Sequence, residues 1–144
     1  MLNKNLFSSD SDEWGTPINF YNELNKEFHF TLDPCASNTN HKCDKFFTKE
    51  QNGLLQKWDG ETVFCNPPYG HKIQLWIEKC YKEHIQNNIT VVMLLPARTD
   101  TKWFHNFIYN KSEIRFIQGR LKFNESKNSA PFPSMVVVYK RINK

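Results

Sequence analysis

Residues 90–95 read Thr-Val-Val-Met-Leu-Leu, which is a continuous apolar run. A strand with one solvated face alternates apolar and polar residues, whereas a strand covered on both faces stays apolar throughout. The run therefore predicts a central strand with helices on both sides of its sheet. Apolar residues also recur at helical spacing over 17–28 and from Ile73 to Ile85. Helices that alternate with buried strands predict an α/β fold with a mainly parallel sheet.

The remaining elements follow from local signals. Thr16 is predicted at the N-cap and Pro17 at the first helical position of the helix 17–28. Thr101 is predicted to cap a short helix, 101–110, with Trp103, Phe104 and Phe107 facing inward. Further strands are predicted at 28–33, 45–48, 62–66, 113–118 and 134–139.

Three strand ends are expected to share one edge of the sheet. Pro34 is predicted to stop the strand 28–33, because proline cannot donate to a ladder and restricts the residue before it. Asp33, Asn66 and Pro96 then each end a predicted strand. Ligands of parallel sheets lie at the carboxyl ends of the strands, so this edge is the expected site.

The chain has 144 residues, 39% of them hydrophobic, which suits one compact domain. We expect a flexible tail at 1–13 and a single domain over 14–144. No run approaches the roughly 20 apolar residues of a membrane span, and no secretory signal is present. These features predict a cytoplasmic protein. The four cysteines form no CxxC pair, so no metal site is predicted.

Asn66-Pro67-Pro68-Tyr69 is the motif that carries chemistry. Two consecutive prolines lock their φ angles and keep the loop stiff where the strand ends. The loop presents the Asn66 amide and the Pro67 carbonyl as two acceptors, which suits an exocyclic –NH2 group. Such acceptors favour a tetrahedral nitrogen and stabilise the charge that develops on it. Tyr69 offers a ring face to a base taken out of the stack, although a rigid turn with Tyr69 as packing is the plainer alternative.

The motif resembles the DPPY/NPPY motif of amino-methyltransferases. The whole pattern is similar to the phage-type DNA N6-adenine methyltransferase (Dam) family. The matching pieces run in family order over 14–140: Trp14-Gly15-Thr16-Pro17, Leu32-Asp33-Pro34-Cys35-Ala36-Ser37, Phe47-Thr48, Asn52-Gly53-Leu54, Trp58, Cys65 to Tyr69, Trp76, Leu94 to Thr99, Trp103-Phe104, Gly119-Arg120 and Phe123.

The resemblance implies a Rossmann-like class I methyltransferase fold and S-adenosylmethionine as cofactor. Asp33 would meet the cofactor ammonium group, and the Thr16-Pro17 helix start its carboxylate. Glu50 or Asn52 would bind the ribose. Phe47, Leu54 and Trp58 would flank its adenine, with Trp58 as a core residue the alternative. The implied cofactor-binding residues are Trp14, Thr16, Pro17, Asp33, Cys35, Ala36, Glu50, Asn52 and Asn66.

The family match also has a departure. Ala36-Ser37-Asn38 stands where many such enzymes have a glycine-rich loop. Only about thirty residues separate Asp33 from Asn66, so an abbreviated β-α-β section is expected there.

Positive charge is concentrated late in the chain. Residues 96–144 carry 10 Lys and Arg against 3 Asp and Glu, whereas 1–95 carry 9 against 12. This asymmetry favours a face for DNA, although a merely soluble basic surface is the alternative. For Arg120 the alternative is an internal ion pair. The loop 124–133 is interpreted as a flap over a flipped base or as an ordinary hairpin connection. The predicted DNA contacts are Arg98, Lys102, Arg120, Lys122 and Lys127, with Arg115 adding to the positive excess.

The sequence thus predicts an adenine-specific DNA methyltransferase, encoded by a phage or prophage in a bacterial host. RNA adenine and a protein glutamine amide are alternative substrates, and a non-catalytic nucleic-acid-binding module is the third hypothesis. Glutamine methyltransferases usually carry a helical domain before the first strand, whereas barely thirty residues precede it here. The oligomeric state is left open.

Overall fold

The computed structural model of the protein describes residues 14–125 and 127–143. Within them the helices and strands are α1 (Ile18–Phe28), β1 (Leu32–Ala36), β2 (Lys45–Thr48), β3 (Val63–Cys65), α2 (Ile73–Asn87), β4 (Val91–Pro96), β5 (Glu113–Phe116) and β6 (Ser134–Tyr139). Two 3₁₀ turns, Gly53–Leu55 and Phe123–Glu125, and a π-helical turn, Phe104–Ile108, connect them. The predicted tail at 1–13 lies outside the described residues. Within the described ranges, no helix is long and apolar enough to cross a membrane.

The described strands form one sheet in the order β2-β1-β3-β4-β6-β5. β1 pairs in parallel with β2 and β3, and β3 pairs in parallel with β4. β6 runs antiparallel to β4, from Pro96 opposite Ser134 to Val91 opposite Tyr139, and also antiparallel to β5. All residues of β4 and β6 are buried. The predicted α/β class, with a mostly parallel sheet around the strand at 90–95, is confirmed.

α1 and α2 cover opposite faces of the sheet, as two adjacent residues of β3 show. Phe64 packs edge-to-face on Tyr21 of α1, with ring centroids 5.2 Å apart. The side chain of the next residue, Cys65, is fully buried and faces Cys80 of α2, which together with burial raises the pKa of the Cys65 thiol. Successive strand side chains point to opposite faces. The prediction of helices on both faces is therefore confirmed.

The prediction that the first strand spans 28–33 and stops at Pro34 is wrong. Phe28 still belongs to α1, and Pro34 lies in the middle of β1, Leu32–Ala36. The missing proline N–H is tolerated because the register between β1 and β2 shifts directly after Asp33. Prolines in strands occur at such irregularities. Asp33 consequently stands inside the strand rather than at its end.

The predicted start of α1 is also corrected by one residue. The helix begins at Ile18 with Pro17 at the N-cap position, and no described side chain caps it. Thr16 does not cap the helix because its hydroxyl accepts a hydrogen bond from the Asn66 side chain instead. The polar residue before α1 therefore belongs to the loop at the edge of the sheet.

The predicted short helix at 101–110 is confirmed, since residues 102–108 are helical. Its main part is the π-helical Phe104–Ile108. The Thr101 hydroxyl accepts the N–H of Phe104 at 3.2 Å, as a cap does. Trp103 and Phe104 are buried and Phe107 is half-buried, as the prediction requires.

The section between β1 and β3 is abbreviated, as predicted. Residues 37–62 are all described and hold β2 and a 3₁₀ turn but no α-helix. Residues 37–44 alone return the chain to the start of the parallel strand β2. Two contacts hold this short return. The His41 ring stacks on Phe46 with centroids 3.9 Å apart, and the Lys42 N–H donates to the Asp33 carboxylate.

Candidate active site at the carboxyl edge of the sheet

A cavity of about 720 Å³ opens where the neighbouring parallel strands β2, β1 and β3 end. Such an edge is where α/β proteins bind ligands. The cavity collects ten residues that the sequence singles out, from segments up to 55 positions apart. They are Trp14, Thr16, Asp33, Cys35, Ala36, Asn52, Asn66, Pro67, Pro68 and Tyr69.

The Asn66 side chain faces the cavity with one half of its amide engaged. Its Nδ2 donates to the Trp14 carbonyl and to the Thr16 hydroxyl, the latter at 2.9 Å. Its Oδ1 is buried, and no described residue donates to it. An unpaired buried acceptor costs free energy unless a ligand supplies the donor. The amide is therefore arranged to receive an N–H or O–H group.

Tyr69 is anchored rather than free. Its hydroxyl donates to the Leu94 carbonyl of β4 at 3.0 Å, and only 3% of the Tyr69 surface is exposed. Burial raises the pKa of this phenol, which nearby Arg98 lowers only partly. The hydroxyl therefore stays neutral and fixes the end of the proline loop to β4.

Tyr69 belongs to a cluster of four aromatic rings. Trp14 lies nearly parallel to it, with centroids 6.5 Å apart. Phe123 and Phe132 meet both rings edge-on, at centroid distances between 5.1 and 6.2 Å. The predicted ring face of Tyr69 is thus covered, and the half-buried Trp14 stands over it. A planar ligand reaches Tyr69 only if a ring of this cluster moves.

Asp33 places a buried carboxylate in the wall of the cavity. It is 6% exposed, and it takes part in no ion pair within the described residues. Burial raises its pKa, and the backbone N–H groups of Lys42 and Cys35 oppose that shift. The Lys42 bond is 2.8 Å long. A cationic ligand group would supply the missing countercharge.

The other predicted cofactor residues divide into two sets. Asn52 lines the cavity, but its side chain accepts the N–H of Leu54 and caps the 3₁₀ turn. Leu54 lines it too. Glu50 is exposed beside a separate shallow depression, and Pro17 and Phe47 do not line the cavity.

Trp58 belongs to the core. It is fully buried, and its Nε1 donates to the Gly53 carbonyl at 3.0 Å. Lys79 lies over its ring, 5.1 Å from the centroid. The expectation that Trp58 flanks the cofactor adenine is therefore wrong, because the Trp58 ring has no exposed face.

Sequence reasoning missed the clamp between Gly15 and Asn124. The Gly15 N–H donates to Asn124 Oδ1 at 2.7 Å, and the Asn124 N–H donates back to the Gly15 carbonyl at 2.8 Å. Asn124 also lines the cavity. No local signal marks this pair, since 109 positions separate the two residues. The sequence shows only an asparagine in a polar stretch, a residue type that tolerates the positive φ that Asn124 adopts.

The five predicted DNA contacts are all exposed. Within 14–125 and 127–143, none of them takes part in an ion pair. Arg120 donates to the Ala130 carbonyl rather than to a carboxylate. Arg115 differs, because Glu27 and Glu113 both pair with it. Its charge is therefore used inside the fold and does not add to the free positive surface.

The loop 124–133 is held at several points. Besides the clamp on Gly15, the N–H of Ala130 donates to the Leu121 carbonyl at 2.8 Å, and Ala130 is buried. Phe132 packs in the aromatic cluster. Lys127 lies between these anchors and is exposed. The described part of this loop is therefore anchored next to the cavity, which Asn124 helps to line.

Known proteins are similar to this chain over nearly its whole length. The model of the family described as DNA N-6-adenine-methyltransferase (Dam) matches residues 3–144. A DNA N-6-adenine-methyltransferase of Haemophilus phage HP1 is 34% identical over 147 residues, which cover 96% of this chain and 84% of that protein. One of Escherichia phage T1 is 34% identical over 113 residues, or 76% of this chain and 46% of that protein. The family match spans the cavity walls as well as the sheet.

Proposed function

The chain belongs to the DNA N-6-adenine-methyltransferase family, and on that premise we propose that it methylates the exocyclic N6 of adenine in DNA at the Asn66-Pro67-Pro68-Tyr69 loop. The methyl donor in this proposal is S-adenosylmethionine. The observation that carries it is the Asn66 Oδ1, a buried acceptor that has no described donor and belongs to a residue lining the cavity. An adenine amino group is a donor that fits this acceptor.

The cavity suits the cofactor in size and in charge. Its volume of about 720 Å³ lies within the range of pockets that hold molecules of this size. Asp33 would pair with the cofactor ammonium, which relieves the cost of a buried, unpaired carboxylate. The loop before α1, with Thr16 on the wall, lies at a helix start that favours a carboxylate. Bound there, the cofactor supplies an electrophilic methyl group on a sulfonium.

The residues of the chain prepare the amine. The Asn66 Oδ1 and the Pro67 carbonyl would accept the two N6 hydrogens and favour a more tetrahedral nitrogen. Positive charge would then grow on nitrogen against two fixed dipoles, which would stabilise the transition state. The methyl–sulfur bond would break as the N6–methyl bond forms, the sulfur would leave as a neutral thioether, and the methylated nitrogen would release one proton to solvent. The stiffness of Pro67-Pro68 and the Tyr69–Leu94 hydrogen bond hold these acceptors in place. Little reorganisation is needed at the moment of transfer.

The proposed DNA face is the exposed basic set Arg98, Lys102, Arg120, Lys122 and Lys127. Arg98 follows β4 by two residues and lies near enough to Tyr69 to affect its pKa. In this proposal Arg98 binds a phosphate that flanks the target base. We also infer one catalytic domain over 14–144 and a phage or prophage origin, since both relatives are phage proteins.

Methyl transfer measured on matched substrates tests the proposal. Purified protein and tritiated S-adenosylmethionine are incubated with duplex DNA, single-stranded DNA, RNA or protein, and the labelled nucleoside or amino acid is identified. We expect N6-methyladenine in DNA. Label in RNA adenine or in glutamine, or none in any substrate, contradicts the proposed reaction.

The Asn66→Ala variant tests the site. We expect a loss of roughly two to three orders of magnitude in rate, with cofactor affinity within a few-fold of wild type. Asn25→Ala is the matched control, because Asn25 also uses its side chain to bind a backbone group, the Phe30 N–H, but lies at the other end of α1. Near wild-type turnover of Asn66→Ala shows that Asn66 has no such role.

A further inference from the structure

We propose that Thr16 is a positioning residue for Asn66, because it holds the amide so that Oδ1 and not Nδ2 meets the target amine. This inference rests on the proposed role of Asn66. An asparagine amide offers an acceptor and two donors in one plane, and a half-turn exchanges them. Only one of the two orientations accepts from a donor amine. The surroundings of Nδ2 therefore decide whether the site works.

The two partners of Nδ2 select that orientation together. The Trp14 carbonyl can only accept a hydrogen bond, so the half-turn would set the Asn66 Oδ1 against another oxygen. The Thr16 hydroxyl accepts a hydrogen bond from the second Nδ2 hydrogen at 2.9 Å, and only 6% of the Thr16 surface is exposed. Both donors of Nδ2 are then used inside the protein. Oδ1 is left as the group that is buried without a described donor.

The segment that carries both partners is itself fixed. Gly15 stands between Trp14 and Thr16, and its N–H and its carbonyl both bind Asn124. The Trp14 ring packs against Phe132 with centroids 5.1 Å apart. The acceptors that orient Asn66 are thus held from the far end of the chain. A side chain bound to a mobile loop would not fix an amide in this way.

Single-turnover kinetics of Thr16→Val tests the inference. Valine keeps the shape of threonine but leaves one Nδ2 hydrogen without its acceptor. At saturating DNA and S-adenosylmethionine we expect the transfer rate to fall roughly tenfold to a hundredfold. This loss is smaller than the one expected for Asn66→Ala, which removes the amide dipole altogether. Thr16→Ser keeps the hydroxyl and is expected to recover most of the rate. Should Thr16→Val fail to fold, Thr16→Ala carries the same expectation.

Two controls separate positioning from a general structural effect. Thr90→Val removes a hydroxyl that also accepts a backbone hydrogen bond, from the Arg141 N–H, at the opposite end of β4, and should keep the wild-type rate. In an Asn66→Ala background, Thr16→Val should change the residual rate by less than about twofold, since no amide remains to orient. A merely structural role would lower that residual rate as well.

The outcomes distinguish this inference from the function on which it rests. If Asn66→Ala abolishes transfer and Thr16→Val keeps the wild-type rate, the positioning role is wrong and the proposed function stands. The same holds if Thr16→Ser is as slow as Thr16→Val, or if Thr16→Val slows the Asn66→Ala protein further. If Asn66→Ala keeps full activity, both the proposed site and the positioning role are wrong.

Discussion

Asn124 holds Gly15 by two reciprocal hydrogen bonds, of 2.7 Å and 2.8 Å, across 109 positions of the chain. A Cβ atom at Gly15 would overlap Asn124 Oδ1. Gly15→Ala should therefore displace the Asn124 side chain, break the clamp and destabilise the fold by about 0.5–1.5 kcal/mol, the typical contribution of a hydrogen bond. Urea denaturation measures this change. The Gly15→Ala cost should shrink in an Asn124→Ala background, where the overlapping oxygen is gone, and an unchanged cost would place the strain elsewhere.

The buried Asp33 carboxylate makes cofactor binding depend on pH. Burial raises the Asp33 pKa, and the proposed ammonium contact needs the ionised form. S-adenosylmethionine affinity should be full well above this pKa and should fall as pH drops through it, at a higher pH than an ordinary aspartate gives. Calorimetry over a pH series on wild type and Asp33→Asn measures it. Asp33→Asn should bind S-adenosylmethionine weakly and without that pH dependence. If it binds as tightly as wild type, the cofactor ammonium does not pair with Asp33.

Asp33 should also lower the stability of the cofactor-free protein. A carboxyl group with a raised pKa in the folded state binds protons more tightly there than in the unfolded chain. Its ionisation therefore opposes folding as pH rises above the unfolded value. Asp33→Asn removes this charge and leaves an oxygen that can accept the Lys42 N–H. The variant should be at least as stable as wild type at neutral pH by urea denaturation, and a marked loss of stability contradicts this.

The sequence predicts the parts of this protein that short-range chemistry decides. The apolar run at 90–95 and the helical spacing after Ile73 locate β4 and α2, and the prolines after Asn66 locate the loop. The errors arise where a tertiary contact overrides a local preference. Thr16 has the chemistry of a helix cap, but Asn66 uses its hydroxyl. Pro34 has the chemistry of a strand end, but a register shift accommodates it.

Long-range pairs in the site could not be predicted at all. Nothing near Tyr69 shows that Trp14 and Phe132 cover its ring, because those contacts join the two ends of the chain. Likewise, nothing near Arg115 shows that Glu27 takes its charge through two bonds of 2.7 Å. Such pairs form only when the sheet brings distant segments together. A sequence alone gives the residue types of the site but not which of them are already engaged.

The exposed basic residues should govern the salt dependence of DNA binding. Arg98, Lys102 and Lys127 carry no described ion pair, so each is available to a phosphate. Charge reversal of all three should weaken binding and reduce the slope of log K against log salt by about 0.9 for each phosphate that is no longer neutralised. Reversal of Lys26, which already pairs with Glu23, is the control. An unchanged slope would show that this surface does not face DNA.

The recognition sequence should be short or relaxed. Proteins that read long sites place a helix, a ribbon or a separate domain in the major groove. Here α1 and α2 pack on the two faces of the sheet. Among the described residues outside the sheet and its helices, the return 37–44, the turn 53–55 and Asn124 of the anchored loop line the cavity. Those segments rim the base pocket and suit contacts to the immediate neighbours of the flipped adenine.

Methylation-sensitive long-read sequencing of DNA from cells that express the protein measures this specificity directly. We expect N6-methyladenine in many contexts that share few defined bases around the target. The Asn66→Ala protein, expressed at the same level, gives the background of modification by the host. Modification confined to one motif of six or more defined bases would contradict the prediction. It would mean that the rim loops, or a part of the chain outside the described residues, read the major groove at a distance from the flipped base.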